Sequence, residues 1–380
     1  MGKLASGLSK IHVGIFVLLI SITLVVWIGC QRPVNSPDEA TITMAQQTLN
    51  KANPRIKAVM AIQERHTQEL MLNPNVVGTA TGLDGNGDPA VLVFLKEEPK
   101  PESLKKSNPI PDMLDGVPVV VEVTGIIRPM RPAKPVPVDH QAMQTPPIQL
   151  GTSGGWRDDL ANGYCCAGTL GSLVQIGGTK YILSNYHVLE ADILSGGNNR
   201  IAQEGDPVVQ PGLIDVGCVA DNTQDVATLS GIKSLPNSNV DAAVAAIIPG
   251  MVREDGSILE IGTISSQTVA AYIGQEVKKS GRTTALTRSS VTGLNGTINI
   301  AYDTECAGGQ AFVKTFTGQI IIKNRASKFL AGGDSGSLMV EDVDTNPRAV
   351  GLLFAGSSQT AIANPIDEVL SFLGASMVGN

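Results

Sequence analysis

The chain has 380 residues, enough for two ordinary domains with a well-filled core. It contains 41 glycines, with 4% aromatic and 17% charged residues, a composition that favours a turn-rich, β-rich folded protein over a disordered one. The formal net charge of -7 argues against nucleic acid as a partner.

The N-terminus is typical of an export signal or a membrane anchor. Lys3 and Lys10 precede the apolar run IHVGIFVLLISITLVVWIG, which ends at Cys30 and is followed by the polar QRPVNSPDEAT. A run of about 19 apolar residues is nearly long enough to span a bilayer. WIGC resembles the bacterial lipobox, in which the cysteine is acylated; Gly29 and Cys30 match it, and Trp27 departs from it.

Three alternatives therefore stand for residues 1–29: the signal of a lipoprotein with lipid on Cys30, an uncleaved anchor, or an ordinary cleaved signal peptide. All three place the rest of the chain outside the cytoplasm. We expect an exported protein, associated with the membrane on the periplasmic or extracellular side of a bacterial cell envelope.

Residues 30–39 are predicted to form a tether, and residues 40–128 a small α/β module. Helix formers predominate from Ala40 to Met71, with a break expected at Pro54. VVGTATGLDGNGDPAVLVFL predicts a β-hairpin, and VPVVVEVTG predicts a further strand. No catalytic cluster is recognisable in this module.

The hairpin turn DGNGD resembles the start of a calcium loop. Pro89 stands where such a loop needs glycine, and Leu95 where it needs a bidentate glutamate. The stretch is therefore interpreted as a turn.

Prolines mark residues 129–150 as an extended linker. Residues 151–380, which follow it, are predicted to form a separate domain. From residue 151 onward, short apolar stretches alternate with Gly, Asn, Asp and Ser, a pattern typical of an all-β sandwich or barrel. The first long amphipathic helix predicted there is NPIDEVLSFLG, close to the C-terminus.

Four cysteines lie in this exported domain: Cys165, Cys166, Cys218 and Cys306. They have no C-x-x-C spacing and only one histidine nearby, so we expect one or two disulfides, with undetermined pairing, rather than a zinc site. No metal and no cofactor is expected.

The stretch FLAGGDSGSLMV places Ser335 in a glycine-rich turn between apolar residues. A serine hydroxyl becomes a nucleophile only when a base accepts its proton and a third group orients that base. The only histidine after the linker is His187, in SNYHVL.

The third group should be a buried carboxylate. Asp241, between a polar turn and the apolar stretch AAVAAII, is the best candidate, because burying an aspartate at such a point is costly without a partner. Asp215 and Asp225 are weaker candidates, better interpreted as turn or strand-edge residues.

The order His187, Asp241, Ser335, in SNYHVL, NVDAAVA and GGDSGSL, resembles that of trypsin-like serine proteases. SGRTTALTRSSVTG and AVGLLFAGS resemble two further stretches of that family, and the resemblance covers roughly residues 151–373. SNYHVL with GRTT is also similar to the narrow-leaf type of trypsin-like protein. A G-x-S-x-G elbow is excluded, because position 337 is serine.

This resemblance implies a mainly β fold with a double β-barrel of trypsin-like type. It implies that Ser335 attacks the carbonyl, His187 acts as general base and acid, Asp241 orients His187, and the N–H groups of Gly333 and Ser335 form the oxyanion hole. Asn185-Tyr186 replaces the usual Ala-Ala before the histidine. The IVGG start of zymogen-type members is absent, so Asp334 is expected to bond locally.

The resemblance also assigns a substrate pocket, with Phe329 at its base and Phe354, Ala355 and Gly356 along one wall. Because Phe329 is apolar and bulky, we expect a preference for Ala, Val or Leu before the cut bond, although Lys328 is adjacent.

The leading hypothesis is an exported, membrane-tethered serine endopeptidase that acts on proteins or peptides through an acyl-enzyme. One alternative is a catalytically weak, protease-like protein that binds peptides. Another makes the N-terminal module the main functional part, as a binding or inhibitory domain.

Overall fold

A computed structural model describes residues 48–98, 109–128, 139–161, 164–190, 202–302 and 312–380. The predicted export segment, the tether, Cys30 and Cys306 lie outside these residues. Within the described part of the chain, no helix is long and apolar enough to cross a membrane.

Three α-helices lie among the described residues: α1 (Pro54–Leu70), α2 (Tyr186–Leu189) and α3 (Ile366–Leu373). Strands β1 to β22 are, in chain order, Val76–Leu83, Pro89–Leu95, Met113–Leu114, Val117–Val123, Thr152–Trp156, Leu160–Ala161, Tyr164–Cys165, Gly168–Leu170, Ser172–Ile176, Thr179–Ser184, Pro207–Gln210, Gln224–Leu229, Ala243–Ile247, Ser257–Ile258, Gly262–Thr263, Glu276–Gly281, Ala285–Tyr302, Phe312–Lys323, Leu338–Glu341, Ala349–Gly356, Thr360–Pro365 and Ser376–Met377.

The first barrel is an antiparallel sheet in the order β22-β9-β10-β13-β12-β11-β5-β8. Only Gly171 separates β8 from β9, so these two strands form one bent run of chain. Strand β9 pairs with β10 and β8 pairs with β5, at opposite ends of this order, so the bent run closes the sheet into a barrel. A side chain at Gly171 has no room, since its Cβ would lie 2.0 Å from the carbonyl oxygen of Gly336.

The second barrel follows the order β16-β19-β20-β21-β18-β17, and an additional β16–β17 pairing closes it. The long strand β17 makes this closure possible, because its first half pairs with β16 and its second half with β18. The mainly β class predicted from the sequence is thus confirmed, and the two closed sheets agree with the expected double barrel.

The second sheet also continues into the N-terminal region, where a separate module is predicted from the sequence. Strand β1 pairs with β17 as well as with β2, and β4 pairs with β2 in parallel, so the full order runs on as β17-β1-β2-β4-β3. Residues from Thr43 to Asn380 form one compact unit. The strands predicted for residues 76–123 therefore exist, but as an extension of the second sheet.

Helix α1 begins at Pro54, the residue at which the sequence predicts a break. Proline suits the first turn of a helix, where its missing N–H has no intrahelical partner, and the Asn53 side chain caps the same end. Ile56 on this helix is fully buried, in the same apolar cluster as Phe329 and Leu353 of the second barrel. The β1–β2 turn is closed by Asp84, whose Oδ1 accepts from the backbone N–H groups of Asn86 and Asp88, both at 2.9 Å.

Residues 139–150, predicted to belong to an extended linker, pack along the barrels. His140 is buried; its Nδ1 lies 2.7 Å from the carbonyl oxygen of Gly151, and its Nε2 lies 2.7 Å from Glu260 Oε2. The N–H of Ile148 donates to the carbonyl of Met251. One disulfide, Cys165–Cys218, is present among the described residues.

Candidate active site

The fold brings His187 and Asp241 together at one end of the first barrel. Strands β10 and β13 are antiparallel, and Ser184, the last residue of β10, lies opposite Ala243, the first of β13. The residues that follow β10 and those that precede β13 are therefore neighbours. His187 lies on the short helix α2 directly after β10.

Asp241 is fully buried and its carboxylate accepts four hydrogen bonds. Oδ1 accepts from the backbone N–H groups of Tyr186 (2.8 Å) and His187 (3.3 Å), and Oδ2 accepts from His187 Nδ1 (2.6 Å) and from the Tyr302 hydroxyl (2.8 Å). Hydrogen bonds of this number offset the cost of burying a carboxylate. The carboxylate thus fixes both the backbone and the ring of His187.

The main chain of Asp241 is held as firmly as its side chain. Its N–H donates to Asn364 Oδ1 at 2.9 Å, and its carbonyl accepts from Asn185 Nδ2 at 2.7 Å. Asn185, which departs from the trypsin-like pattern, therefore has a structural role beside the site.

The hydrogen bond to Asp241 determines which nitrogen of the His187 ring can accept a proton. Because Nδ1 donates to Asp241, the neutral ring carries its lone pair on Nε2, the nitrogen available to accept a proton. Only 9% of the His187 side chain is exposed. The ring also makes an edge contact with Tyr302, at 6.1 Å between centroids.

Tyr302, at the end of β17, belongs to the second barrel. Its hydroxyl donates one of the four hydrogen bonds to the carboxylate of Asp241 in the first barrel. Burial raises the pKa of Tyr302 well above its usual range, and the Asp241 charge acts in the same direction. The phenol therefore stays protonated and donates. The sequence does not identify Tyr302 as a site residue. The alternating pattern in INIAY predicts that Tyr302 is buried, but it does not indicate which residue Tyr302 contacts.

Ser335 comes from the second barrel, three residues before β19. Its Oγ donates to the carbonyl of Phe354 at 3.3 Å, and its carbonyl accepts from the N–H of Thr169 at 2.8 Å. The described hydrogen bonds include none between Ser335 Oγ and His187.

The loop before Ser335 turns two N–H groups away from the hydroxyls that hold its carbonyls. Thr283 Oγ1 donates to the carbonyl of Gly332 at 2.5 Å, and Ser337 Oγ donates to that of Asp334 at 2.6 Å. In a trans peptide the N–H points opposite to the carbonyl, so the N–H groups of Gly333 and Ser335 face the other way. Gly333 has a φ of 91°, which favours glycine.

The carboxylate of Asp334 fixes the backbone of this loop through hydrogen bonds. Its Oδ1 accepts from the N–H groups of Thr283 (2.9 Å) and Thr284 (3.1 Å), its Oδ2 accepts from the N–H of Ala331 (2.9 Å), and Lys279 Nζ lies 3.3 Å from Oδ2. Burial lowers the pKa of Lys279, and the Asp334 charge opposes that shift. All these partners belong to the second barrel, in keeping with the expected local bonding of Asp334.

The residues assigned to the substrate pocket are all buried. Phe329 is 2% exposed and lies in the apolar cluster of the second barrel, while Phe354 packs on Phe316 with 4.9 Å between ring centroids. Ala355 and Gly356 continue the same strand, β20.

Asp215 and Asp225 lie in other interactions. Asp215 forms a buried ion pair with Arg282, whose Nε donates to Oδ2 at 2.7 Å, and Asp225 accepts from Arg157 at 3.0 Å. The carboxylate beside His187 is that of Asp241.

Comparisons with known proteins place these features in context. The profile of the Nal1 C-terminal domain matches residues 233–364, about a third of the chain. A comparison with curated proteins finds no match.

Among solved structures, the chain is similar to Thermobifida fusca Protease A, at 20% identity over 61% of this chain and 99% of the other, with a TM-score of 0.41. Cellulomonas bogoriensis chymotrypsin is similar at 19% identity, 61% and 99% coverage and a TM-score of 0.38. A glutamic acid specific serine protease gives 18% identity, 60% and 100% coverage and a TM-score of 0.39. All three identities are low, so the chemistry of this site follows from its own contacts.

Proposed function

We propose that the chain is a serine endopeptidase in which Ser335, His187 and Asp241 act as one unit. The observation that carries the proposal is the four-bond shell of Asp241, which fixes His187 with Nε2 as the proton acceptor. A buried carboxylate, an oriented imidazole and a serine in a loop with two outward N–H groups are the parts that acyl transfer requires.

In the proposed reaction His187 Nε2 takes the proton of Ser335 as Oγ attacks the peptide carbonyl carbon. The N–H groups of Gly333 and Ser335 then donate to the developing oxyanion. The imidazolium gives its proton to the leaving amine, which departs as the C–N bond breaks and an ester forms on Ser335. Water, deprotonated by His187, hydrolyses that ester and restores the hydroxyl.

Asp241 stabilises the imidazolium that forms in each half of this cycle. Since its carboxylate is already fully hydrogen-bonded, no reorganisation is needed when the charge appears. Because bulky Phe329 stands at the base of the pocket that the proposal assigns, the proposed substrates are proteins or peptides with a small apolar residue before the cut bond.

Labelling with a fluorophosphonate probe tests this proposal. The wild-type protein should form a covalent adduct on Ser335, and Ser335→Ala and His187→Ala should abolish labelling. Ser172→Ala removes another buried serine, at the start of β9, and should leave labelling intact. An adduct that persists in Ser335→Ala would overturn the assignment of the nucleophile.

The alternative is a protein that binds peptides without turnover. It would give no adduct in the wild-type chain and unchanged peptide affinity in Ser335→Ala. Retention of the whole Asp241 shell argues for the enzyme, because binding along a strand edge needs no oriented imidazole.

We also propose that the enzyme is exported and tethered to a membrane through its N-terminal segment, with lipid on Cys30. Labelling with a palmitate analogue should be lost in Cys30→Ser. Membrane fractionation without any label would instead favour the uncleaved anchor.

A further inference from the structure

Among the described residues, no strand covers one backbone edge of β20 beside Ser335. Its neighbour β19 begins only at Leu338, three residues after Ser335, so it does not cover the last part of β20. Within that part the carbonyl of Phe354 accepts from Ser335 Oγ. The edge of Phe354–Gly356 therefore starts at the reactive hydroxyl and runs away from it.

A segment of the same chain pairs with this edge. The N–H of Arg128 donates to the carbonyl of Gly356 at 3.2 Å, and the N–H of Gly356 donates to the carbonyl of Arg128 at 2.8 Å. The two residues form an antiparallel bridge that uses both backbone groups of Gly356.

The direction of this segment is the one that an extended peptide substrate would need. Because the bridge is antiparallel to β20, the chain from Ile126 to Arg128 advances toward Phe354 and Ser335. Gly356 and Phe354 are two residues apart, or about 7 Å in an extended strand. Arg128 therefore takes the place of the substrate residue two positions before the one whose carbonyl is attacked.

The segment is also anchored by its neighbours. Ile127 is fully buried, in the same apolar cluster as Phe354 and Ala355, and its carbonyl accepts from the N–H of Ala301 at 3.2 Å. Just upstream, the N–H of Gly125 donates to the carbonyl of Leu95 in β2. The extended sheet thus holds the segment against the edge.

We propose that Ile126–Arg128, here called the strap, is an internal competitor of extended substrates. This inference rests on the proposed peptidase function. A peptide with three or more residues on the acyl side must displace the strap from Gly356, whereas a smaller substrate need not reach it. A segment tethered in the same chain competes at an effective concentration of the order of millimolar.

Two substitutions at one position separate the backbone of the strap from its side chain. Arg128→Pro removes the N–H that Gly356 accepts and keeps Ile127 in the extended region. Arg128→Ala removes the side chain and keeps both backbone hydrogen bonds. Ile127→Ala, which reduces the buried anchor, is a second way to weaken the strap.

The experiment compares these full-length variants in two assays, the KM for a tetrapeptide amide substrate and the rate of labelling by a small fluorophosphonate. We expect Arg128→Pro and Ile127→Ala to lower the tetrapeptide KM by about fivefold or more, the factor for one net hydrogen bond. Arg128→Ala should leave KM unchanged, and the labelling rate should be the same in all four proteins.

An equal tetrapeptide KM in all four proteins, with normal labelling, would overturn the strap and leave the peptidase standing. Absence of labelling from every protein, including wild type, would overturn the peptidase itself. A higher KM in both Arg128→Pro and Ile127→Ala would mean that the strap helps to build the substrate site, which also contradicts competition.

Discussion

Asp241 is the residue on which the others depend, since it fixes the ring and the backbone of His187. Asp241→Asn keeps the shape but puts an amide where Nδ1 and the Tyr302 hydroxyl donate, so the His187 tautomer is no longer held. We expect kcat to fall about 10⁴-fold. Asp225→Asn, which changes a carboxylate paired with Arg157 in the same barrel, should keep near-normal kcat.

If Asp241→Asn retained full turnover while Asp225→Asn lost it, the orienting carboxylate would be misassigned. Effects of Asp241→Asn and Ser335→Ala should not add in the double variant, because the groups act on the same step.

In the proposed reaction Tyr302 is a positioning residue from the second barrel: its hydroxyl donates to Asp241 and its ring contacts that of His187. Tyr302→Phe removes one donor and keeps the ring that packs on Phe316, so the carboxylate loses one of four hydrogen bonds. We expect kcat to fall about tenfold to 150-fold with little change in KM, since a hydrogen bond to a charged group is worth about 1.5–3 kcal/mol.

The pH profile separates this positioning role from a structural one. Loss of a donor leaves the carboxylate to bind the imidazolium more strongly, so the acid limb of kcat/KM should move to higher pH in Tyr302→Phe. A fall in kcat with an unmoved acid limb and a lower melting temperature would point to packing alone.

Glu190 follows helix α2 and is buried beside the site without any part in the proposed reaction. Burial raises the pKa of Glu190 to about 8, and the charge on Lys233 opposes that shift. Between pH 5 and 8 the unfolded chain has therefore lost a proton that the folded chain keeps. The contribution of Glu190 to the free energy of unfolding must then decrease as pH rises through this window.

Glu190→Gln should flatten that dependence, and urea unfolding at pH 5 and pH 8 measures it. The variant should gain stability over wild type at pH 8 relative to pH 5. Glu204→Gln changes an exposed carboxylate and serves as the control. An identical pH dependence in wild type and Glu190→Gln would show that Glu190 is charged in the folded protein.

At the scale of elements, the loop before Ser335 is held by a buried ion pair within the second barrel. Lys279 on β16 and Asp334 are both fully buried, and Asp334 fixes the backbone of Thr283 and Thr284. Removing the cation leaves a buried charge without its partner, which typically costs about 3–5 kcal/mol. The loop that presents the two outward N–H groups should loosen as a result.

We expect Lys279→Met to lower both the melting temperature and the rate of fluorophosphonate labelling. The neighbouring Lys278 donates to the carbonyl of Val343 and lies on the other face of β16. Lys278→Met should leave the labelling rate nearly unchanged. Equal losses in the two variants would mean that the ion pair does not support the loop.

Most elements of the described fold are predictable from local patterns, because most strands are short apolar runs between turn residues. The hairpin β1–β2, strand β4, strand β10 with His187 after it, and helix α3 all lie where the sequence places them. Long-range partners are not predictable in this way. The residues around Tyr302 do not indicate its contact with Asp241, and those around Lys279 do not indicate its contact with Asp334. Both contacts depend on how the barrels close.

At the scale of the whole molecule, the N-terminal region and the second barrel share one sheet. Sequence composition separates them at the proline-rich stretch, but the pairing of β1 with β17 is a contact between residues more than 200 positions apart. The buried Gln63 of helix α1 reinforces it, because its Oε1 accepts from Asn295 Nδ2 of β17 at 3.1 Å. The strap, which follows β4, is therefore connected to the same sheet as β20.

A shared sheet predicts one cooperative unfolding transition for these two parts. Ile56 of α1 is fully buried in the apolar cluster of the second barrel, so Ile56→Ala should cost about 2–5 kcal/mol and lower the midpoint of the whole transition. Leu72→Ala, at a residue 74% exposed just after the same helix, should change it little.

Tyrosine and tryptophan fluorescence and far-ultraviolet circular dichroism, followed during urea unfolding, measure the midpoints. Coincident curves shifted together in Ile56→Ala would show one unit, because loss of the helix contact then weakens the barrel that carries Ser335. An early separate transition, with the barrel midpoint unchanged, would instead mean that the N-terminal region folds as an independent module.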